Sequence, residues 1–219
     1  MFAKARRILH QLFHPVVGEV WQLHHVADNG RDEYTIAPEK LEAMIAEYRG
    51  KGYEFIDIKD ILNPHKKKFV AVTLDDGYED NYSIAKPLFE RLNVPCCIFV
   101  ASDYVFDEEK RARKGGMTQD QLREMAKSPL CTIGAHTKSH CHLNQLSKNE
   151  QQEEIIGGKN ILESFLGEKV DSFAYPYGDF NTDSLSILAD EGFQMGFAAW
   201  GGPIRKGDYN DFELPRILK

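Results

Sequence analysis

Three observations predict that the chain folds as an α/β domain built on a parallel sheet. Apolar runs of strand length alternate with segments of helical periodicity from about residue 19 to the C-terminus. Two of the runs end in clustered polar residues: residues 69–74 lead into Asp75-Asp76, and residues 131–135 lead into His136-Thr137-Lys138-Ser139-His140. A length of 219 residues, 42% hydrophobic and 28% charged, suits one globular domain with a sizeable core.

The elements follow in order. Residues 19–24 are predicted as the first strand. Leu41, Met44, Ile45 and Tyr48 recur at three-to-four-residue spacing, which predicts an amphipathic helix over 38–48. Gly50 and Gly52 end it, and 55–58 form a short strand. Tyr82, Ala85, Leu88, Phe89 and Leu92 mark a second helix closed by Asn93, and 94–100 read as a buried strand. The charge-dense stretch 106–116, ending in Gly115-Gly116, is expected to be a flexible loop. Thr118 should cap a short helix over 118–127, and 132–135 should be the strand that delivers the histidines. Ser147 and Glu150 have the form of a capping box and open the longest helix, to about residue 165. Gly157-Gly158 inside that helix predicts a kink or a close packing contact. A strand over 170–175, a helix over 183–191 and a strand over 195–199 complete the alternation.

Residues 1–17 read as an N-terminal extension. It starts with the positive charge of a signal peptide, but His10, Gln11, His14 and Pro15 break the apolar stretch that must follow. No window approaches a membrane span, so a cytoplasmic protein is expected, with a peripheral amphipathic N-terminal segment as the alternative. The net charge of −7 and pI near 5.6 exclude a general nucleic-acid binder. The basic run Lys66-Lys67-Lys68 reads as a solvated edge. Cys96, Cys97 and Cys131 fall in strand-like stretches and read as small buried thiols, without zinc-ribbon or finger spacing. Cys141, beside His140, leaves an additional soft ligand open.

Strand ends are where α/β folds place their chemistry. One carboxylate and two imidazoles form a facial set that holds a divalent metal and leaves open positions, so Asp76, His136 and His140 are the expected ligands. Zinc suits that set first; cobalt, nickel, iron or manganese also fit it. Asp75 is then left over beside the metal as a general base. Asn81 is expected to cap the helix that follows, with a contact to the site as the alternative.

Three motifs carry a family resemblance. Thr73-Leu74-Asp75-Asp76-Gly77, His136-Thr137-Lys138-Ser139-His140 and Phe173-Ala174-Tyr175-Pro176-Tyr177-Gly178 resemble, in order, the first three motifs of the polysaccharide deacetylases, the NodB-homology group of carbohydrate esterase family 4. The similarity runs from about Gly18 to the C-terminus, which makes 18–219 the catalytic domain. Alternation alone leaves an open doubly wound sheet possible. The resemblance implies instead a distorted, incomplete (β/α) barrel, TIM-like with about seven strands, with the metal at the strand C-terminal ends. It also implies a hydrolase that removes the N-acetyl group from an amino sugar of a polysaccharide, oligosaccharide or sugar precursor.

The resemblance assigns an oxyanion-binding backbone N–H to Tyr177. Most of the family takes its general acid from a C-terminal Leu-x-His motif, but no histidine follows His142 here. Leu23-His24-His25-Val26 instead resembles an element of a circularly permuted branch, the poly-β-1,6-N-acetylglucosamine deacetylase type. That makes His24 the expected acid and His25 a neighbour facing away; His142 is a second candidate. Ala174 stands where much of the family has an arginine that holds the base. Leu214-Pro215-Arg216-Ile217 matches the last strand of the permuted relatives, so Arg216 is expected to pair with Asp75 or to support it through the neighbourhood of Asp76. Two other functions stay open: deacylation of a small non-carbohydrate amide or formylated amino sugar, and a catalytically silent carbohydrate-binding relative. Retention of both acids and both histidines argues against the silent form.

Overall fold

Residues 69–76 are buried along their whole length, as expected of a strand covered on both faces, and the rest of the sheet is built around them. The computed structural model describes residues 14–28, 30, 32–207 and 209–219. Its strands are β1 (Val16–Leu23), β2 (His25–Val26), β3 (Thr35–Ile36), β4 (Glu54–Ile56), β5 (Phe69–Asp76) and β6 (Cys96–Val100). They continue as β7 (Cys131–Ala135), β8 (Ser172–Ala174), β9 (Met195–Gly201), β10 (Ile204–Arg205) and β11 (Leu214–Leu218). The helices are α1 (Pro38–Gly50), α2 (Lys86–Leu92), α3 (Asp103–Phe106), α4 (Glu108–Lys114), α5 (Gln119–Ala126), α6 (Lys148–Leu166) and α7 (Thr182–Asp190).

Strands β1, β5, β6, β7, β8, β9 and β11 pair in that order, all parallel, and β11 returns to β1. Seven strands therefore close a (β/α) barrel, one fewer than the eight of a TIM barrel. The closing seam is the six-residue register Gly18↔Phe69 to Leu23↔Leu74. Strand β4 pairs with the first residues of β5, and β10 runs antiparallel to the start of β1. The small sheet β2–β3 is an element that periodicity does not reveal.

Alternation along the strands sorts the apolar side chains into two layers. Val20, Phe69, Ala71, Cys97, Phe99 and Phe197 pack together in the lumen; Trp21, Val70, Val72, Cys96, Ile98 and Phe173 belong to the layer beneath the helices. The lumen is narrow. A Cβ on Gly18 would sit 2.4 Å from the Phe69 ring, and one on Gly134 would sit 2.4 Å from that of Phe99. In the outer layer Trp21 is fully buried and edge-on to Tyr48 and Phe55.

The capping predictions are matched. Thr118 caps α5 and Ser147 caps α6, each in a reciprocal box, and Asn93 ends α2 in the left-handed conformation. Helix α6 runs unbroken through Gly157-Gly158, and close packing is the reason for Gly158. A Cβ there would lie 2.7 Å from the Thr137 carbonyl group.

Two expectations are corrected. The stretch 106–116 is helical rather than a loop: Asp107 caps α4 by accepting from the Lys110 N–H, and Gly115 ends it with a left-handed φ. Gly116 then packs directly against the Tyr104 carbonyl, which leaves no room for a Cβ. Asn81 does not cap a helix, because the chain enters α2 through a π-helical turn, Asn81–Ala85. Its side chain instead donates to the His24 carbonyl at 2.8 Å. The predicted extension 1–17 falls mostly on residues 1–13, outside the described residues; β1 begins at Val16. Among the described residues, no helix is long and apolar enough to cross a membrane.

Candidate active site

The site lies at the C-terminal mouth of the barrel and is set by how β5 ends. Asp75 continues the inward alternation of Phe69, Ala71 and Thr73 into the lumen. Asp76 then breaks that alternation with φ 77°, followed by Gly77 at φ 86°. The left-handed pair turns the second carboxylate toward the histidine loop after β7. Thr137 (φ 62°), His140 (φ 60°) and Tyr177 (φ 59°) are left-handed as well. Such conformations cost a non-glycine residue roughly 1–2 kcal/mol each, and they concentrate at functional sites where the surrounding structure enforces them.

The enforcing contacts are visible around the histidine loop. Thr137 Oγ1 accepts from the His140 N–H at 2.9 Å. Glu154, on α6, accepts from the backbone N–H groups of Lys138 (3.1 Å) and Ser139 (2.8 Å) and from the Ser139 hydroxyl (2.8 Å). Gly158, one turn further along α6, lets the helix lie against the same loop.

This brings Asp76, His136 and His140 together as predicted. Asp76 Oδ1 lies 3.4 Å from His136 Nε2 and 3.0 Å from His140 Nε2, and the three donor atoms fall within 4.8 Å of one another. His136 Nδ1 lies 2.7 Å from the Ala174 carbonyl, which can only accept. That bond fixes the tautomer and leaves the Nε2 lone pair facing the site when the ring is neutral. Asp76 Oδ1 and His140 Nδ1 are buried without a hydrogen-bond partner. Asp76 Oδ1, His136 Nε2 and His140 Nε2 converge in a buried cluster, a donor set that fits a divalent cation. Burial would raise the Asp76 pKa, but its ring contacts with His136 and His140 hold it well below the usual carboxylate range. Burial works against a proton on His136, yet the contact with Asp76 and the charges of both acids raise its pKa. A proton and a divalent cation would therefore compete for this donor cluster.

Asp75 has the opposite environment. Arg216 meets it fork to fork, Nη1 to Oδ1 at 2.6 Å and Nη2 to Oδ2 at 2.8 Å, which matches the pairing expected from sequence. Gln22 Nε2 also donates to Oδ2, at 2.8 Å. The remaining guanidinium contacts go to the Ala198 carbonyl and the Thr73 hydroxyl. Burial alone would raise the Asp75 pKa; the charges of Arg216 and His136 outweigh it and bring it to about 2. Asp75 is thus an ionised carboxylate held in a fixed orientation.

His24 Nε2 stands 4.0 Å from Asp75 Oδ2. Burial lowers its pKa, partly offset by the charges of Asp75 and Asp76. Its Nδ1 is buried without a partner. His25 does not face away: it lines the same cavity, with Nδ1 2.6 Å from Asp80 Oδ2 and its ring stacked on Tyr78. The physical reason is that β1 ends at Leu23 and β2 starts at His25, so strand alternation does not carry across His24.

Tyr177 stands at the rim, 52% exposed, stacked face to face on His142 at 3.8 Å. His142, the second acid candidate, is turned to Asp179 at 2.6 Å and buttresses Tyr177 instead. Cys141 does not join the ligand trio, and burial, with the nearby Glu154 charge, pushes its thiol up to about 12. Gln22, His24, Tyr34, Tyr78, Tyr104 and Lys114 complete the walls of a cavity of about 470 Å³, a size suited to a small ligand or one monomer of a larger one. Gln22 had a legible signal, sitting two residues before His24 on the first strand. Tyr104 and Glu154 had none, because they reach the site from helices whose packing the sequence does not reveal.

A family model described as polysaccharide deacetylase matches residues 62–196, more than half of the chain. The poly-β-1,6-N-acetyl-D-glucosamine N-deacetylase of Staphylococcus aureus is 28% identical over 201 residues, covering 84% of this chain and 68% of that protein. The structure of IcaB from Ammonifex degensii superposes with a TM-score of 0.82 at 27% identity, covering 93% of this chain and 92% of that one. The deacetylase PplD of Streptococcus pyogenes shares the fold at a TM-score of 0.78 and 22% identity.

Proposed function

This chain belongs to the polysaccharide deacetylase family, and we propose that it is a metal-dependent hydrolase removing N-acetyl groups from an amino-sugar polymer. One observation carries the reading: two adjacent buried acids have opposite surroundings. Asp76 shares a donor cluster with His136 and His140, while Asp75 is locked ionised by Arg216 beside it. A sugar-binding module has no need of that second carboxylate.

In this reading Asp76, His136 and His140 hold a divalent cation, with zinc first by donor type. A cation held there acidifies water beside it and polarises the amide carbonyl of the substrate. Asp75 takes the proton from the attacking water. A carboxylate with a pKa of about 2 is too weak a base to do this to ordinary water, which is why its position beside the cation seat matters. Arg216 and Gln22 fix the direction of its lone pairs. The backbone N–H of Tyr177 is assigned to the developing oxyanion. When the amide C–N bond breaks, the leaving nitrogen needs a proton. His24 faces Asp75 across 4.0 Å and supplies it; burial, by lowering its pKa, makes its protonated form a stronger acid. The products are acetate and a free amine.

The likeness to the S. aureus enzyme makes β-1,6-linked N-acetylglucosamine the first substrate to test. The four free cysteines are compatible with a reducing compartment, and the cytoplasm is the proposed location, checked by fractionation of producing cells. The decisive assay is acetate release from β-1,6-linked oligomers by the zinc-loaded protein. Asp75→Asn should abolish release and keep the metal; loss of metal instead would exchange the roles of the two acids. His24→Ala should slow release by about 10²–10⁴-fold with metal retained. An unchanged rate would remove His24 as the acid.

A further inference from the structure

Four histidines among the described residues line the catalytic cavity, and only His25 has no part in the reaction above. His136 and His140 belong to the cation seat, and His24 serves the leaving nitrogen. The break between β1 and β2 turns His25 into the same cavity as His24. Its ring lies nearly flat on Tyr78, 3.8 Å between centroids and 22° between planes, and its Nδ1 is 2.6 Å from Asp80 Oδ2. One face and one edge of the imidazole are therefore fixed, and the edge that carries Nε2 is left.

The surroundings of Asp80 decide what that edge offers. Asp80 Oδ1 accepts from the Val26 N–H at 3.4 Å and from Asn81 Nδ2 at 3.0 Å, as a carboxylate does. The proton of the short Oδ2 contact then belongs to His25 Nδ1, and Nε2 keeps a lone pair when the ring is neutral. Nε2 has no hydrogen-bond partner among the described residues, yet it is not sealed in as His24 Nδ1 is. Holding β2 to the π-helical turn does not require the imidazole. The Val26 bond does that, together with the bond from Asn81 Nδ2 to the His24 carbonyl. A ring stacked on one face and braced from behind by a buried acid is oriented for a ligand in front of it.

A neutral acceptor in this wall selects for a hydrogen donor. The carboxylates of the cavity face other groups: Asp75 meets Arg216 and Gln22, and Asp76 meets two imidazoles. Asp32 Oδ1 accepts from the Tyr34 N–H and the Thr35 hydroxyl. An N-acetylated sugar brings two kinds of donor, its hydroxyls and its amide N–H, and the amide nitrogen is the one that His24 serves. We infer that His25 Nε2 accepts a hydrogen bond from a ring hydroxyl of the sugar unit that loses its acetyl group. His25 thereby reads the hydroxyl pattern of that unit. This rests on the deacetylase reading and names a specificity-determining residue within it.

The test uses the zinc-loaded chain and three β-1,6-linked oligomers of equal length. One is N-acetylglucosamine throughout; in the others every unit lacks the C3 or the C4 hydroxyl. Acetate release gives kcat and KM for each. One deoxy oligomer should lose about tenfold in kcat/KM against the parent, with the loss in KM. His25→Ala should lose the same factor on the parent and nothing further on that deoxy oligomer, while the other deoxy oligomer behaves as it does with the unaltered chain. His25→Gln, which keeps an acceptor, should recover part of the loss. Should His25→Ala fail to fold, the comparison is read on His25→Gln, where the deoxy penalty should be smaller than in the unaltered chain. A penalty of equal size with and without His25, or no penalty for either deoxy oligomer, overturns the hydroxyl contact; continued acetate release then leaves the deacetylase reading standing. No acetate from any oligomer, the parent included, removes both.

Discussion

Two poles of one site, built on the adjacent residues Asp75 and Asp76, differ in how completely their polar groups are satisfied. In the lumen, both Asp75 oxygens accept bonds from Arg216, and Arg216 spends its remaining contacts on Ala198 and Thr73. At the mouth, Asp76 Oδ1 and His140 Nδ1 are buried with no hydrogen-bond partner, and three donor atoms face one another. The lumen pole is complete as folded protein. In the proposed reading a cation completes the mouth pole, and left-handed Asp76, Thr137 and His140 are the conformations the chain accepts to build it.

The contrast can be broken most forcefully at Arg216. Arg216→Met should destabilise the metal-free protein by about 3–5 kcal/mol in chemical denaturation, because it strands a buried carboxylate. A loss under 1 kcal/mol would mean that the lumen pair is not the structural anchor described here.

Acid titration sharpens the same point. The folded-state pKa of Asp75, about 2, lies below its ordinary 3.8. Its contribution is therefore fully present above the unfolded value and is lost as pH falls through the folded one. Between pH 4 and 2 this group should remove about 2 kcal/mol of metal-free stability, and Asp75→Asn should flatten that part of the profile. An identical acid slope in the variant would refute the assignment.

Glu154→Ala tests the loop that carries the mouth pole. Freeing the Lys138 and Ser139 N–H groups should weaken zinc binding by about 10–100-fold in calorimetric titration. Unaltered affinity would show that Thr137 and Gly158 hold the loop without it. Asp76→Asn removes a charge that faces two imidazoles rather than a guanidinium. It should cost the metal-free protein less stability than Arg216→Met does while abolishing zinc binding. A large stability loss would make Asp76 a structural acid like its neighbour.

Much of this was legible in the sequence because chemistry and secondary structure coincide at strand ends. The runs before Asp75 and His136 revealed the strands as apolar runs of strand length, and the polar residues after them located the mouth. Arg216 was readable from its terminal-strand motif, although 141 residues separate it from Asp75. Three things were not readable. The seam between β1 and β5 pairs residues 51 apart, and nothing local encodes that closure. His25 was misplaced because the strand breaks at His24, and a one-residue break cancels the alternation on which the expectation stood. Residues 106–116 were misread because dense charge and Gly-Gly describe a solvated helix with a glycine stop as well as they describe a loop.

The most direct measurement of the central claim is an anomalous difference map at the zinc absorption edge, from crystals grown with zinc. The account predicts one peak within about 2.0–2.2 Å of Asp76 Oδ1, His136 Nε2 and His140 Nε2, with Asp75 still paired to Arg216. A peak bound by Asp75, or no peak among the three side chains, would contradict it.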